Sequence, residues 1–429
     1  MKIFKNISIY YLLSSIVIFL IFLFKIFSDD LNFNYNIKYL VLSTLMIIFS
    51  ILSFKLEKTY KTYLNITTLS LIFSIYSFEI YLSYEKLKIS QLTKLSFIES
   101  HKKIKKTEVV GVIAPKTHLN KKNDYFPLSG ISKMETVYCN ELGFFTTYKS
   151  DRYGFNNKNN LWDEKIIDYV LIGDSFVHGA CVHNQDNLSN QIMKISKKNS
   201  LNLGMAGNSV LINFATIKEY VKKDKVKNVL FFFTEDNDLE GLKNEAENKI
   251  LKKYLIEKFF YQDLKKKQKQ LDSILLTIYK NELKKEEKKK SENKKINIYE
   301  ILKLYKFRSL TIDFFNEKKF DTLDSYNLFE QIITDVDNYL KQNNIELYVI
   351  YLPSYSRITN RKYNESKYKN VMNILNDKKI KVIDIYNELF KTKKDIINLF
   401  ALSGAGHYNS EGYRLISEIV YKKISDQKF

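Results

Sequence analysis

Cysteine, proline and glycine are scarce in this sequence, and the shortage of cysteine limits the metal sites that it can form. Among 429 residues there are 2 cysteines, 3 prolines and 12 glycines. The spacing of Cys139 and Cys181 matches no metal-binding motif, so we predict no metal site. Outside the cytoplasm the two residues can form a disulfide, but two buried free thiols are an equally good interpretation. The sequence leaves these two states open.

The chain also lacks the patterns of a nucleic-acid-binding protein, although its formal net charge is +20. It has no zinc-ligand spacing, no helix-turn-helix pattern and no basic stripe with interleaved aromatic residues. The lysines instead concentrate between Lys265 and Lys295 and beside the apolar segments, where attraction to anionic lipid headgroups or envelope polymers explains them. We therefore expect membrane lipid, and no nucleic acid, among the partners of this protein.

Three apolar segments open the chain and predict a transmembrane unit at residues 1–90, with helices at about 7–27, 38–54 and 63–83. The alternative for the first segment is a cleaved signal peptide. No small-residue cleavage site follows that segment, whereas two further apolar segments do. Glu79 lies near the end of the third segment, where an interfacial position would keep its carboxylate hydrated.

Basic residues around these segments predict their orientation in the cytoplasmic membrane. Lys2 and Lys5 precede the first segment, and Lys55, Lys58 and Lys61 lie between the second and the third, whereas Asp29 and Asp30 lie between the first and the second. The positive-inside rule then puts the N-terminus in the cytoplasm and the chain after the third segment outside it. Three lysines that follow the third segment favour the reverse: Lys86, Lys88 and Lys94. We favour the extracytoplasmic placement.

From residue 166 to 429, short apolar runs alternate with amphipathic runs. This alternation predicts an α/β domain whose parallel sheet is covered on both faces. Strands are predicted at Asp168–Ile172, Leu201–Leu203, Asn228–Phe233, Glu346–Leu352 and Val382–Ile385. A connecting region at residues 91–165 precedes this domain, and a charged helical insertion at 240–325 interrupts it.

Four polar clusters follow strands or precede the last helix, at the sheet edge where parallel α/β proteins bind ligands. They are Gly173-Asp174-Ser175, the glycine-rich run Asn202 to Ser209, Glu235-Asp236-Asn237-Asp238, and Gly406-His407. Each has an ordinary structural explanation, such as a helix cap, a glycine turn or a solvated loop. His178 and His183 lie beside the serine and compete with His407 as proton acceptors.

Taken together, the order serine, glycine, asparagine, histidine resembles the SGNH (GDSL-type) hydrolase family, including bacterial, envelope-associated members. The resemblance implies a flavodoxin-like three-layer α/β/α sandwich and no cofactor. It also implies that Ser175 attacks an ester carbonyl and that His407 is the general base. The oxyanion would bind to the Ser175 and Gly207 N–H groups and to the Asn237 side chain, with Asp174 and Asp238 in supporting positions.

The sequence departs from the family pattern at two positions. Glu235 occupies the place of a glycine, and Gly404 occupies the place of the aspartate that precedes the histidine by three residues. The third member of the triad, which orients the imidazole, is therefore missing or comes from elsewhere. Asp395 is the nearest upstream candidate.

These features predict a membrane-anchored serine ester hydrolase that acts through an acyl-enzyme on an acylated carbohydrate or lipid of the cell envelope. One alternative is an O-acyl transferase to an envelope glycan, supplied by a membrane acyl-donor protein. A second alternative is a non-catalytic glycan-binding or assembly protein with the same fold, which the missing aspartate favours.

Overall fold

The computed structural model describes residues 7–28, 33–91, 94–105, 107–121, 123–292, 298–308, 323–359, 363–393, 395–401 and 406–426. The positions Lys2, Lys5, Asp29, Asp30 and Gly404, used in the sequence analysis, lie outside these residues. The chain divides into two compact units, one of Met1–Lys88 with Asn293–Glu317 and one of Ile89–Glu292 with Lys318–Phe429.

The structure contains both helices and strands over its described ranges. The helices are α1 (Ile7–Ser28), α2 (Phe33–Ser53), α3 (Lys58–Gln91), α4 (Lys94–Lys105), α5 (Ser175–His178), α6 (Leu188–Ser196), α7 (Val210–Tyr220), α8 (Leu242–Glu247), α9 (Lys249–Ile256), α10 (Gln268–Glu292), α11 (Ile298–Leu302), α12 (Leu323–Lys341), α13 (Tyr355–Thr359), α14 (Ser366–Asp377) and α15 (Ser410–Asp426). The strands are β1 (Val109–Gly111), β2 (Glu135–Val137), β3 (Thr147–Lys149), β4 (Ile167–Ile172), β5 (Ser200–Asn202), β6 (Val226–Thr234), β7 (Glu346–Leu352) and β8 (Lys381–Asp384).

Several polar side chains of the first unit are buried, whereas many of its large apolar side chains are exposed. Ser15 of α1 and Ser50 of α2 are buried, and their hydroxyl oxygens lie 3.3 Å apart. Phe24 of α1 and Phe73 of α3 are 73% and 74% exposed. This distribution is the reverse of that in a water-soluble bundle, in which the apolar face of each helix is buried.

One of the three predicted membrane spans meets the length that a bilayer requires. Among the described residues, Lys58–Tyr84 of α3 is long and apolar enough to cross a membrane. The apolar parts of α1 and α2, Ser8–Phe24 and Tyr39–Ser53, are shorter.

Glu79 of α3 differs from expectation, because its side chain is fully buried and not hydrated. Its two carboxylate oxygens accept hydrogen bonds from the backbone N–H groups of Lys306 and Phe307, at 2.9 and 2.7 Å. The Tyr76 hydroxyl donates to the carbonyl of Leu302 at 3.1 Å. Residues 298–308, which lie within the predicted charged insertion, thus pack in the same unit as α3.

The second unit is built on a five-stranded parallel sheet with the strand order β5-β4-β6-β7-β8. In chain order this is 2-1-3-4-5, the order of flavodoxin-like folds. Successive residues of β4 pack into different clusters, with Val170 on one face beside α7 and α12 and Leu171 on the other beside α6 and α15. The prediction of an α/β domain with a parallel sheet covered on both faces is therefore confirmed.

The predicted connecting region belongs to the same compact unit as the sheet. Its strands form a small sheet in which β2 pairs with β1 in parallel and with β3 in antiparallel. The buried Asp151 carboxylate accepts hydrogen bonds from Trp162 Nε1 at 2.7 Å and from Asn157 Nδ2 at 2.9 Å. Asn157 in turn donates to the Asn202 carbonyl at 2.7 Å, which fixes this loop against the end of β5.

The helix of the charged insertion packs against the small sheet through one face. Leu271, Leu275 and Ile278 of α10 are buried, and the latter two pack against the β1 segment. The Asp272 carboxylate accepts hydrogen bonds from the backbone N–H and the hydroxyl of Ser132, at 2.9 and 2.6 Å. In the sequence, Leu271, Ile274, Leu275 and Ile278 already stand at helical spacing on one face, and the structure shows that the small sheet covers part of it.

Candidate active site

Ser175 is the first residue of α5, directly after the strand β4 and the turn that follows it. The Asp174 carboxylate caps this helix by accepting a hydrogen bond from the Phe176 N–H at 3.0 Å. Because Asp174 is fully buried, the cap fixes the backbone that carries the serine. Ser175 itself is half-buried, so its hydroxyl is accessible from one side.

His407 lies in the loop before α15 and meets Ser175 at the edge of the sheet. The distance between His407 Nε2 and Ser175 Oγ is 2.8 Å, although the residues are 232 positions apart. The loop is held by hydrogen bonds on both sides, from the Ala401 N–H to the His407 carbonyl and from the Asn409 N–H to the Leu399 carbonyl, both at 2.9 Å. The structure thus brings together the two residues that the sequence analysis paired as nucleophile and base.

Glu141 is the acidic partner of His407, and the sequence analysis missed it. Its Oε1 lies 2.9 Å from His407 Nδ1, and its Oε2 accepts the backbone N–H of His407 at 2.7 Å. Burial raises the pKa of the Glu141 carboxyl, but the hydrogen bonds from the His407 side chain and backbone, together with the charge of an imidazolium, outweigh burial and lower it. Ser175, His407 and Glu141 therefore form a continuous hydrogen-bonded chain in the order of a serine-hydrolase triad.

Asp395, the candidate named from the sequence for this position, is an exposed residue that precedes a short 3₁₀ turn. The group at His407 Nδ1 is Glu141, which is 266 positions upstream of the histidine. Gly404, at the usual place of the acid, lies outside the described residues. Glu141 carries no recognisable signal in the sequence. It could have been found only from the pairing of its neighbour Cys139 with Cys181, which follows Ser175 in the chain.

Cys139 and Cys181 form a disulfide with a Cα–Cα distance of 4.8 Å. This resolves the alternative of two free thiols that the sequence left open. The ligand-type atoms of Cys139, Cys181, Glu141 and His407 all lie within 4.8 Å of one another. Because the disulfide uses both sulfurs, the oxidised protein presents no thiolate to a metal ion there.

The two competing histidines have other surroundings. His178 is buried, its Nδ1 accepts the Ala206 N–H at 3.2 Å, and its Nε2 lies 2.7 Å from the Tyr148 hydroxyl. Since Nδ1 accepts, the neutral ring carries its proton on Nε2 and donates it to the tyrosine. His183 is exposed and stacks on Phe144 with 5.3 Å between ring centroids.

The two backbone N–H groups that the sequence analysis assigned to the oxyanion are not used elsewhere. Within the described part of the chain, neither the Ser175 N–H nor the Gly207 N–H has a hydrogen-bond acceptor. Gly207 has a φ of +74°, which glycine adopts without the strain that a side chain would add. The hydrogen bonds from the Met205 N–H to the Gly173 carbonyl (3.1 Å) and from Ala206 to His178 hold this loop against the nucleophile segment.

The Asn237 amide is oriented by the residue that precedes the serine. Asn237 Nδ2 donates one of its two hydrogens to Asp174 Oδ2 at 2.8 Å. Because the two N–H bonds of an amide diverge, the second is not directed at Asp174. Burial raises the pKa of Asp174, an effect that the hydrogen bonds from Asn237 and Phe176 reduce. The pKa of the Asp238 carboxyl is also raised, mainly by burial and secondly by the negative charge of Asp174. Its Oδ2 accepts the Thr234 N–H at 2.7 Å.

Glu235, which stands where the family has glycine, has a structural contact of its own. Its carboxylate is buried and accepts hydrogen bonds from the Ser354 N–H at 2.8 Å and the Tyr363 hydroxyl at 2.6 Å. The side chain therefore links the ends of β6 and β7.

Comparisons with known proteins show similarity to ester-hydrolysing enzymes of solved structure. One is a protein assigned to the lipolytic G-D-S-L family from Desulfitobacterium hafniense DCB-2, with 14% identity, a TM-score of 0.32 and coverage of 59% of this chain and 98% of that one. Another is a lipase/acylhydrolase from Enterococcus faecalis, with 12% identity, a TM-score of 0.33 and coverage of 61% and 97%. A third is a two-domain esterase active on acetylated mannans, with 8% identity, a TM-score of 0.34 and coverage of 62% and 51%. No protein-family model matches the chain, and no curated protein has significant similarity to it.

Proposed function

We propose that this protein is a membrane-anchored serine ester hydrolase of the SGNH type that acts through an acyl-enzyme on an acylated carbohydrate or lipid of the cell envelope. The observation that carries the proposal is the hydrogen-bonded chain Ser175–His407–Glu141, with distances of 2.8 and 2.9 Å. The alternative of a non-catalytic protein was motivated by the missing aspartate. Glu141 supplies a carboxylate at that position and removes this motivation.

In the first half-reaction, His407 Nε2 removes the proton of Ser175 as Oγ attacks the ester carbonyl. This step requires the neutral imidazole to carry its proton on Nδ1, and Glu141 Oε1 is the acceptor that favours this tautomer. The carboxylate also stabilises the imidazolium that forms. The unpaired N–H groups of Ser175 and Gly207 and the amide of Asn237 would bind the oxyanion, each contributing about 2.7–4 kcal/mol.

The first half-reaction ends when His407 returns the proton to the leaving alcohol, which departs and leaves the acyl group on Ser175 Oγ. In the second half-reaction, the imidazole takes a proton from water as the water oxygen attacks the acyl carbonyl. The imidazolium then returns this proton to Ser175 Oγ as the carboxylic acid leaves, which restores the free serine. All protons pass through His407 Nε2, so these steps need only the side chains described above and water.

Two features support a position at the outside of a membrane. The exposed apolar side chains of α1, α2 and α3 fit a lipid environment, in which the buried serines would contact one another. The disulfide Cys139–Cys181 is typical of proteins in oxidising compartments and rare in a reducing cytoplasm. The disulfide also agrees with the orientation that the basic residues predict.

The test is hydrolysis of p-nitrophenyl acetate by the full chain in detergent, for wild type, Ser175→Ala, His407→Ala and Glu141→Gln. We expect the first two variants to lose about 10³-fold or more in kcat and Glu141→Gln to lose about 10²- to 10⁴-fold, as in other triads. Glu257→Gln, which changes an exposed glutamate, is the matched control and retains wild-type activity. Equal rates in all five proteins would refute the proposal.

The same assay with an added soluble glycan tests whether water or the glycan accepts the acyl group. We expect the acyl group to leave as free acid at a rate that the glycan does not change. Acylation of the glycan, detected by mass spectrometry and lost in Ser175→Ala, would instead assign the protein to O-acyl transfer.

A further inference from the structure

The disulfide joins the two segments that carry opposite ends of the triad. Cys139 is two residues before Glu141, in the hairpin that connects β2 to β3. Cys181 follows α5, the short helix that begins with Ser175. The covalent bond therefore fixes the distance between the segment with the nucleophile and the segment with the acid.

Glu141 lies near the tip of this hairpin, where Phe144 also stacks on His183. Its base is closed by hydrogen bonds from the Tyr138 N–H to the Thr146 carbonyl at 2.9 Å and from the Thr146 N–H to the Cys139 carbonyl at 2.8 Å. Beyond this pair the chain turns through Gly143 and Phe144, which are both exposed. A hairpin tip of this kind moves readily unless it is tied to the rest of the fold.

The sulfur atoms also lie directly beside the acid–histidine contact. Cys181 Sγ is 3.9 Å from His407 Nδ1, the atom that faces Glu141. By contrast, the contact between Ser175 and His407 is made by α5 and by the loop before α15, neither of which contains Cys139. Breaking the disulfide therefore removes the covalent link to the segment of the acid and leaves the serine and the histidine on their own supports.

Resting on the function proposed above, we propose that the Cys139–Cys181 disulfide is a positioning element of the active site, which holds Glu141 against His407. A dithiol reduces the bond to two cysteine thiols and is itself oxidised to a disulfide. The reduced enzyme is then a serine–histidine pair without its fixed acid, and its hydrolysis is slower. Reoxidation restores both the bond and the rate.

The experiment is a double-mutant cycle between the disulfide and the acid. The kcat for p-nitrophenyl acetate is measured for full-length wild type, Cys139→Ser/Cys181→Ser, Glu141→Gln and the combined variant. We expect loss of the disulfide to lower kcat about 10- to 10²-fold in the presence of Glu141 and less than about twofold in its absence, because residues that act as a unit are not additive. A disulfide with a merely structural role would cost the same factor in both backgrounds, and that outcome overturns the proposal.

A second experiment breaks the disulfide reversibly, so its result does not depend on whether the Cys139→Ser/Cys181→Ser variant folds. Wild type and Glu141→Gln are reduced with dithiothreitol, assayed, reoxidised and assayed again, with free thiols counted at each stage. EDTA is present throughout, because the reduced cysteines, Glu141 and His407 lie close enough to capture a metal ion. We expect a reversible loss in wild type that exceeds the loss in Glu141→Gln at unchanged KM, whereas equal losses in the two proteins, or no loss in wild type, contradict the inference.

The result also separates this inference from the proposed function. Absence of Ser175-dependent hydrolysis in the oxidised wild type would refute the function itself. Hydrolysis that depends on Ser175 and Glu141 but not on the disulfide would refute the positioning role alone.

Discussion

Gly406 lies against the carboxylate of Glu141, so closely that a methyl group at position 406 would overlap Oε2. The residue has a φ of +77° and directly precedes His407. A glycine here therefore serves two purposes: it permits the left-handed backbone, and it leaves room for the carboxylate to reach both the ring and the backbone N–H of the histidine.

Replacing Gly406 by alanine is expected to displace the Glu141 carboxylate and to lower kcat about 10- to 10²-fold, approaching the effect of removing the acid. The left-handed φ would also strain the alanine and lower the free energy of unfolding by about 1–3 kcal/mol. Gly143→Ala is the matched control, because Gly143 has a similar φ of +83° but nothing within 4 Å of the added methyl group. Similar kcat values for the two alanine variants would show that the overlap with Glu141 is unimportant.

Asn237→Ala is expected to lower kcat by about 10²- to 10³-fold with little change in KM, since an oxyanion donor acts in the transition state. Asn338→Ala, at an exposed position on α12, is the control. Steady-state kinetics with p-nitrophenyl acetate measures both. An increase in KM with unchanged kcat would place Asn237 in substrate binding and outside the oxyanion site.

The lowered pKa of Glu141 predicts a dependence of stability on pH. The unfolded carboxyl takes up its proton near its usual pKa of 4.5, whereas the folded carboxyl does so at a lower pH. The stabilisation from Glu141 is therefore fully present above about pH 4.5 and is lost as the pH falls through the folded pKa. We expect the difference in melting temperature between wild type and Glu141→Gln to be constant from about pH 5 to 7 and to shrink in more acidic buffer.

The same comparison with Glu257→Gln provides the reference, because that exposed side chain has no histidine partner among the described contacts. A difference between wild type and Glu141→Gln that grows as the pH falls below about 4.5 would contradict the hydrogen bonding of Glu141 described here.

Glu79→Ala is expected to release residues 298–308 from α3, because the N–H groups of Lys306 and Phe307 lose their acceptors. Each buried donor left without a partner costs about 1–3 kcal/mol. Limited trypsin digestion of the full chain in detergent should then cleave after Lys303 and Lys306 several-fold faster than in wild type. Glu57→Ala, at an exposed position, should digest like wild type, and unchanged cleavage in Glu79→Ala would exclude the role of this carboxylate.

Local patterns in the sequence were sufficient for the sheet and for most of its strands. The strand β7 was predicted with the bounds that the structure has, Glu346–Leu352, because its apolar run ends at a proline. The candidates Ser175 and His407 were also found from local position. Ser175 follows the strand β4, and His407 precedes the helix α15. In a parallel sheet, such junctions meet at one edge. Each of these features depends on residues that are close in the chain.

The sequence by itself determined the five strands of the parallel sheet in their chain order, the apolar character of the first three helices and the pairing of the serine with the histidine. Only the tertiary structure decided which carboxylate faces His407, that Cys139 pairs with Cys181, and that Glu79 is buried under residues 298–308. The physical reason is the same in each case. These contacts join segments far apart in the chain, and the side-chain types alone favour no particular partner until packing of the whole fold brings two of them together.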